Sequence, residues 1–107
     1  MRVLNAFAAL ALILVPSAAG AVEIGDPQQG LAYAKKICAE CHAVEVGDDL
    51  SPSPDAPSFE DVANTPGMNA RALVVWLQSP HPTMPHLLIP PEDTDNIVAY
   101  ITSLNAK

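Results

Sequence analysis

The feature that most constrains this chain is the segment KICAECHAVE, which contains the pattern Cys-x-x-Cys-His at Cys38, Cys41 and His42. These are the only two cysteines among 107 residues. The pattern fits four kinds of chemistry: a disulfide, half of a zinc site, a redox-active dithiol, and the covalent attachment point of a haem. Each makes a different demand on the rest of the sequence.

The N-terminal segment MRVLNAFAALALILVPSAAGA has the layout of a secretory signal peptide. One positive charge, Arg2, precedes an apolar run over residues 7–15, and small residues lead to an A-x-A site that ends at Ala21. The run is well short of the roughly 20 residues that span a bilayer. We therefore expect residues 1–21 to be cleaved, and residues 22–107 to be exported without stable insertion in a membrane.

The expected mature chain is strongly acidic. It keeps four basic residues against twelve acidic ones, a formal charge of −8. Such a chain repels nucleic acid and anionic lipid, so neither is an expected partner. A docking partner that is steered by charge should be basic, although an acidic surface that only promotes solubility fits the composition equally well.

The mature chain is also small for a protein with a single hydrophobic core. Only four aromatic residues remain in it, and ten prolines interrupt its elements. A disulfide between the two cysteines would close a very short loop and constrain the unfolded chain little. A large apolar cofactor would stabilise such a core far more.

Three helices separated by long, Pro-rich loops are predicted, which makes the fold all-α. Asp26 followed by Pro27 is a helix start, and the first helix should run to about residue 39 with Cys38 on its buried side. Asn69 should cap a helix over residues 70–78. Ser58 and Asp61 have the spacing of a capping box for one short turn, and the last helix should start at Pro91.

Helix placement bears on the four interpretations of the motif. A zinc site would need His81 and His86 as its second ligand pair, across a gap of 39 residues that is far longer than in a zinc finger. A redox dithiol needs its first cysteine at a helix N-terminus, whereas Cys38 is predicted at a C-terminus. A disulfide suits an exported chain but explains neither His42 nor the weak core.

Covalent haem attachment explains the most. Two thiols three residues apart at a helix end reach the vinyl groups along one edge of a porphyrin, and His42 then presents an imidazole to the iron. Haem attachment is therefore favoured, while the other three interpretations stay open on the residues alone.

Over residues 26–104 the sequence resembles the small bacterial class I c-type cytochromes. The matching segments, in family order, are residues 30–34, 38–42, 56–59, 72–80, 84–85 and 97–101. The resemblance implies three to four short helices wrapped around one haem c, which is attached through two thioethers at Cys38 and Cys41. It also implies that the N- and C-terminal helices cross, with Gly30 meeting Tyr100.

The resemblance further implies the iron ligands. His42 would be one axial ligand, and Met84 in the Pro-rich loop would be the second. His81 and His86 flank Met84 and are the alternatives, although both are expected to be exposed loop residues. Met68 is expected to be a loop or core filler. Phe59 and Trp76 would line the pocket. The Pro57 carbonyl would accept a hydrogen bond from His42.

The function implied is that of a periplasmic, monomeric one-electron carrier, with iron cycling between Fe(III) and Fe(II) between a donor and an acceptor protein. Thioether ligation raises the reduction potential and fills the sixth iron position, which argues against an enzyme. One alternative is a haem-based sensor or enzyme with an open sixth position, which requires that Met84 does not bind. Another is an exported binding domain without haem.

Overall fold

The computed structural model of the chain describes residues 11–16 and 24–106. Residues 11–16 are exposed and have no regular secondary structure. Most of the predicted signal peptide, including its cleavage site at Ala21, lies outside the described residues. Within the described ranges, no helix is both long enough and apolar enough to cross a membrane.

The described residues form an all-α fold, as the sequence predicts. In chain order the elements are α1 (Pro27–Lys36), a 3₁₀ turn (Cys38–Glu40), α2 (Phe59–Ala63), α3 (Ala70–Gln78) and α4 (Pro91–Ser103). The most extensive helix–helix contact is between α1 and α4. This confirms the predicted crossing of the N- and C-terminal helices.

Three helices start where short polar side chains cap them. Asp26, Ser58 and Asn69 each accept a hydrogen bond from a backbone N–H two or three residues further on, at 2.8, 3.1 and 2.9 Å. Each bond satisfies one of the N–H groups that the first turn of a helix leaves unpaired. The starts of α1, α2 and α3 are therefore confirmed, and α4 begins at Pro91 as predicted.

The predicted end of α1 is wrong. The helix ends at Lys36 rather than near residue 39, and the chain tightens into the 3₁₀ turn after Ile37. The Cys38 carbonyl accepts from the N–H groups of both Cys41 and His42, at 3.2 and 3.0 Å. Such a turn is common at a helix C-terminus because it pairs carbonyls that the helix leaves free. Here it folds the whole motif into one compact turn.

The crossing of α1 and α4 depends on Gly30. A Cβ atom on this residue would lie 2.0 Å from the Asn96 carbonyl oxygen and 2.8 Å from the Cβ of Tyr100, so no side chain fits. The expected meeting of Gly30 and Tyr100 is confirmed. The Asn96 side chain fixes the same crossing, since its Oδ1 accepts from the Asp26 N–H at 2.8 Å.

The buried core lies beneath this crossing. Its members come from α1, α2, α3, α4 and the segment after the motif, and include Ala34, Val44, Phe59, Leu73 and Ile97. The Tyr100 hydroxyl donates to the Val44 carbonyl from within the core. The segment that follows His42 is thus anchored to α4.

Candidate functional site

A largely apolar cavity of about 360 Å³ lies beside the core. Its volume falls within the roughly 300–1,000 Å³ typical of small-molecule sites. A smaller cavity of about 170 Å³ adjoins it. Six residues line both: Cys38, His42, Pro57, His81, Met84 and Leu87. The structure therefore brings three of the four predicted site residues to the boundary between the two cavities.

The two cysteines differ in their surroundings. Cys38 is half-buried and lines both cavities, whereas Cys41 is exposed and lines only the smaller one. Both thiols are free. Burial raises the pKa of the Cys38 thiol to about 11. A redox-active dithiol needs a lowered pKa, so this environment is the opposite of what the dithiol interpretation requires.

His42 is held by one backbone hydrogen bond. Its Nδ1 lies 2.7 Å from the carbonyl oxygen of Pro57, which confirms the expected contact. A carbonyl can only accept, so Nδ1 carries the proton and Nε2 keeps the lone pair in the neutral ring. The ring also packs against buried Phe59, with centroids 5.4 Å apart. This is the support that a metal-ligating histidine usually has.

Met84 lies at the end of a tight turn that begins at His81. The Met84 N–H lies 3.4 Å from the His81 carbonyl, Pro82 is the first central residue, and Thr83 follows with φ of +69°. Proline followed by a positive φ is the pattern of a type II turn. Because Thr83 is β-branched, this conformation is strained, and strain of this kind tends to occur at functional sites.

His81 differs from its expected setting as an exposed loop residue. It is half-buried, lines both cavities, and meets Trp76 edge-on with ring centroids 5.3 Å apart. Its Nδ1 lies 3.1 Å from the Ser79 carbonyl, and its Nε2 lies 2.7 Å from the Met84 sulfur. His86 is exposed and lines neither cavity, as expected. The sequence indicates His81 as an alternative ligand, but its expected exposure is wrong.

The remaining expected residues of the pocket lie where the resemblance implies. Phe59 and Trp76 line the larger cavity, and so does half-buried Met68 as a filler. The zinc interpretation finds no support in the part of the chain that the structure describes, since no three His, Cys, Asp or Glu side chains there converge on one point.

The residues present fit a c-type haem. The larger cavity is apolar enough for a porphyrin, and a half-buried thiol, a supported imidazole and a thioether all lie in its lining. An exposed second thiol lies within the same short turn, three residues from the first. This donor set matches the thiols and axial ligands that hold haem in c-type cytochromes.

Comparison with known proteins supports the same conclusion. The chain is 36% identical over 93 residues to cytochrome c-552 of Bradyrhizobium diazoefficiens. The aligned residues cover 87% of this chain and 88% of that protein. No protein-family model and no solved structure matches it. The chain belongs to the small bacterial c-type cytochromes, and is therefore a haem-based electron carrier.

Proposed function

We propose that this protein is an exported, periplasmic monohaem cytochrome that carries one electron between a donor and an acceptor protein. Residues 1–21 act as a signal peptide, and residues 22–107 form the mature cytochrome domain. Cys38 and Cys41 attach one haem c through two thioethers. His42 and Met84 are its axial ligands.

One observation carries the proposal: a single apolar cavity is lined by Cys38, His42 and Met84 together. These residues come from two segments more than 40 positions apart in the chain. Nothing in their sequence positions alone requires that they meet. Their meeting in a chain that is related to cytochrome c-552 supports a common role for them.

The chain's own residues orient the ligands and exclude water, while the bound haem supplies the change between Fe(III) and Fe(II). The Pro57 carbonyl fixes the orientation of His42, and Phe59 packs against its ring. Apolar side chains around the cavity keep the surroundings poorly solvated. Met84 would supply a thioether to the haem iron and would leave no place there for a substrate, so the proposed role is transfer and not catalysis.

The proposed partners are redox proteins with a basic docking surface. The protein is proposed to bind them as a monomer. The formal charge of −8 on the mature chain supports this, since opposite charges accelerate encounter. Added salt should therefore slow electron transfer to a basic small redox protein and leave transfer to a neutral one little changed. Faster transfer to the basic protein at high salt would contradict the proposed docking charge.

The central test is the optical spectrum of the protein after maturation in a bacterial periplasm, for wild type and Met84→Ala. Met68→Ala is the matched control, because both methionines line the cavity and lose the same atoms. The weak far-red charge-transfer band of sulfur-ligated ferric iron should be present in wild type and Met68→Ala and absent from Met84→Ala. A band that survives Met84→Ala, or that disappears in Met68→Ala, would refute Met84 as the ligand.

Three further measurements test the remaining parts of the proposal. Haem staining on a denaturing gel should persist in Cys38→Ala or Cys41→Ala alone and disappear when both are replaced. Mass spectrometry of the exported protein should give a mature chain that begins at Val22. Reduced wild-type protein should not bind carbon monoxide. Binding would indicate an open iron position, and therefore an enzyme or a sensor.

A further inference from the structure

We propose that His81 is a second axial ligand for the iron position assigned to Met84, and takes that position when the thioether leaves. The inference rests on the proposed attachment of haem at Cys38 and Cys41. It goes beyond that proposal because it assigns two alternative ligands, Met84 and His81, to one iron position, and both ligands belong to one turn.

The first argument is the orientation of the His81 ring. Its Nδ1 lies 3.1 Å from the carbonyl oxygen of Ser79, and a carbonyl can only accept. In the neutral ring the proton is therefore on Nδ1, and Nε2 carries the lone pair. His42 has the same arrangement, with Nδ1 on the Pro57 carbonyl at 2.7 Å. A backbone carbonyl on the far nitrogen is the usual support of a metal-ligating histidine.

The second argument is the contact between His81 and Met84. Nε2 lies 2.7 Å from the Met84 sulfur, and both atoms belong to side chains that line the two cavities. With its proton on Nδ1, the ring has no hydrogen to donate to the sulfur, and a thioether has none to donate in return. Two electron-pair donors, the His81 Nε2 and the Met84 sulfur, therefore lie side by side at the cavities. Two donors so close together can reach the same metal ion in turn.

The third argument is the way the chain holds this pair. Both residues belong to one four-residue turn, in which Pro82 and Thr83 restrict the backbone. Replacement of the sulfur by the nitrogen therefore requires movement within one turn and leaves the helices in place. The edge contact with Trp76 keeps the His81 ring beside the cavity. His86 has none of these features, because it is exposed and lines neither cavity.

The chemistry of the two ligands gives the exchange a direction. A thioether raises the potential because it favours ferrous iron. Because linked equilibria are reciprocal, oxidation of the iron must weaken the binding of the thioether relative to the binding of a nitrogen ligand. His81 is therefore expected to compete best in the ferric protein, and Met84 in the ferrous protein.

The test compares four matured proteins: wild type, Met84→Ala, Met84→Ala/His81→Phe and Met84→Ala/His86→Phe. Phenylalanine keeps a ring against Trp76 but removes the nitrogen. Ferric electron paramagnetic resonance and near-infrared magnetic circular dichroism report the ligands, and carbon monoxide mixing reports access to ferrous iron.

We expect ferric Met84→Ala to be low-spin with the signature of two imidazoles, and Met84→Ala/His86→Phe to match it. Met84→Ala/His81→Phe should be high-spin and should bind carbon monoxide at least tenfold faster. If that variant does not accumulate, Met84→Ala/His81→Leu serves in its place. High-spin ferric Met84→Ala, or a low-spin form that survives removal of His81, would overturn the inference while leaving the proposed function intact. Wild type without covalent haem would overturn both.

Discussion

Replacement of Gly30 by alanine should loosen the crossing of α1 and α4. The added Cβ would lie 2.0 Å from the Asn96 carbonyl oxygen, whereas ordinary contact begins near 3.4 Å. The two helices must therefore separate locally by about 1 Å or more, because the obstacle is backbone that cannot rotate away. The Asp26–Asn96 hydrogen bond lies at the same crossing and should weaken with it.

The magnitude follows from two opposing terms. Overpacking of a well-packed contact costs about 1–3 kcal/mol, and a backbone obstacle at this distance places Gly30→Ala near the upper value. Alanine in a helix recovers about 1 kcal/mol relative to glycine. The net loss should be about 2 kcal/mol. For a chain of this size such a loss lowers the unfolding temperature by about 8–16 °C.

The assay is thermal unfolding of the ferric haem protein, followed by haem absorbance and by circular dichroism of the helices. The matched control is Ala32→Gly, an exposed position on the same helix that measures the helix-propensity term alone. That variant should lose about 1 kcal/mol or less. The far-red band should persist in both, because neither residue lines the cavities. A Gly30→Ala protein as stable as wild type would refute the argument from close approach.

Three other substitutions probe the core around the site. Phe59→Ala removes a buried ring that lines the larger cavity and should cost about 3–5 kcal/mol, as measured by denaturant unfolding. Asn96→Ala removes the acceptor of the Asp26 N–H and should cost about 1–3 kcal/mol in the same experiment, with little change in the spectrum. Tyr100→Phe leaves the Val44 carbonyl without its donor and should cost about 1–3 kcal/mol near neutral pH. Burial, followed by two nearby glutamates, raises the pKa of the Tyr100 phenol above its ordinary value of 10.0. The unfolded chain therefore ionises first, so wild type should lose stability as the pH rises above about 10, and Tyr100→Phe should lose less over the same range. An equal alkaline loss in both proteins would exclude Tyr100 as its source.

The helix starts were predictable because the interactions that set them are local. Asp26, Ser58 and Asn69 each cap a helix through a backbone N–H no more than three residues away. The residue type and spacing are visible in the sequence, and no distant part of the chain is needed to form the bond. The all-α class follows from the same local signals.

The end of α1 and the setting of His81 were not predictable in this way. The end of α1 lies at Lys36, and no glycine or proline in residues 37–42 marks the change to the 3₁₀ turn. His81 is drawn to the cavity by contacts with Ser79, Trp76 and Met84, which require both α3 and the turn after it to be in place. The one local signal for this turn is the order of residues His81, Pro82, Thr83 and Met84, because proline favours the first central position of a turn.

The packing of α1 against α4 also sets an order of events in time. The Asp26–Asn96 hydrogen bond joins residues 70 positions apart, so the crossing forms only after nearly the whole chain is present. An isolated ten-residue helix such as α1 is marginal in water. In the proposed export of the chain, N-terminus first, α1 would therefore lack its partner. Cys38 and Cys41 would stay accessible during that interval, when the proposed attachment of haem could take place before folding encloses it.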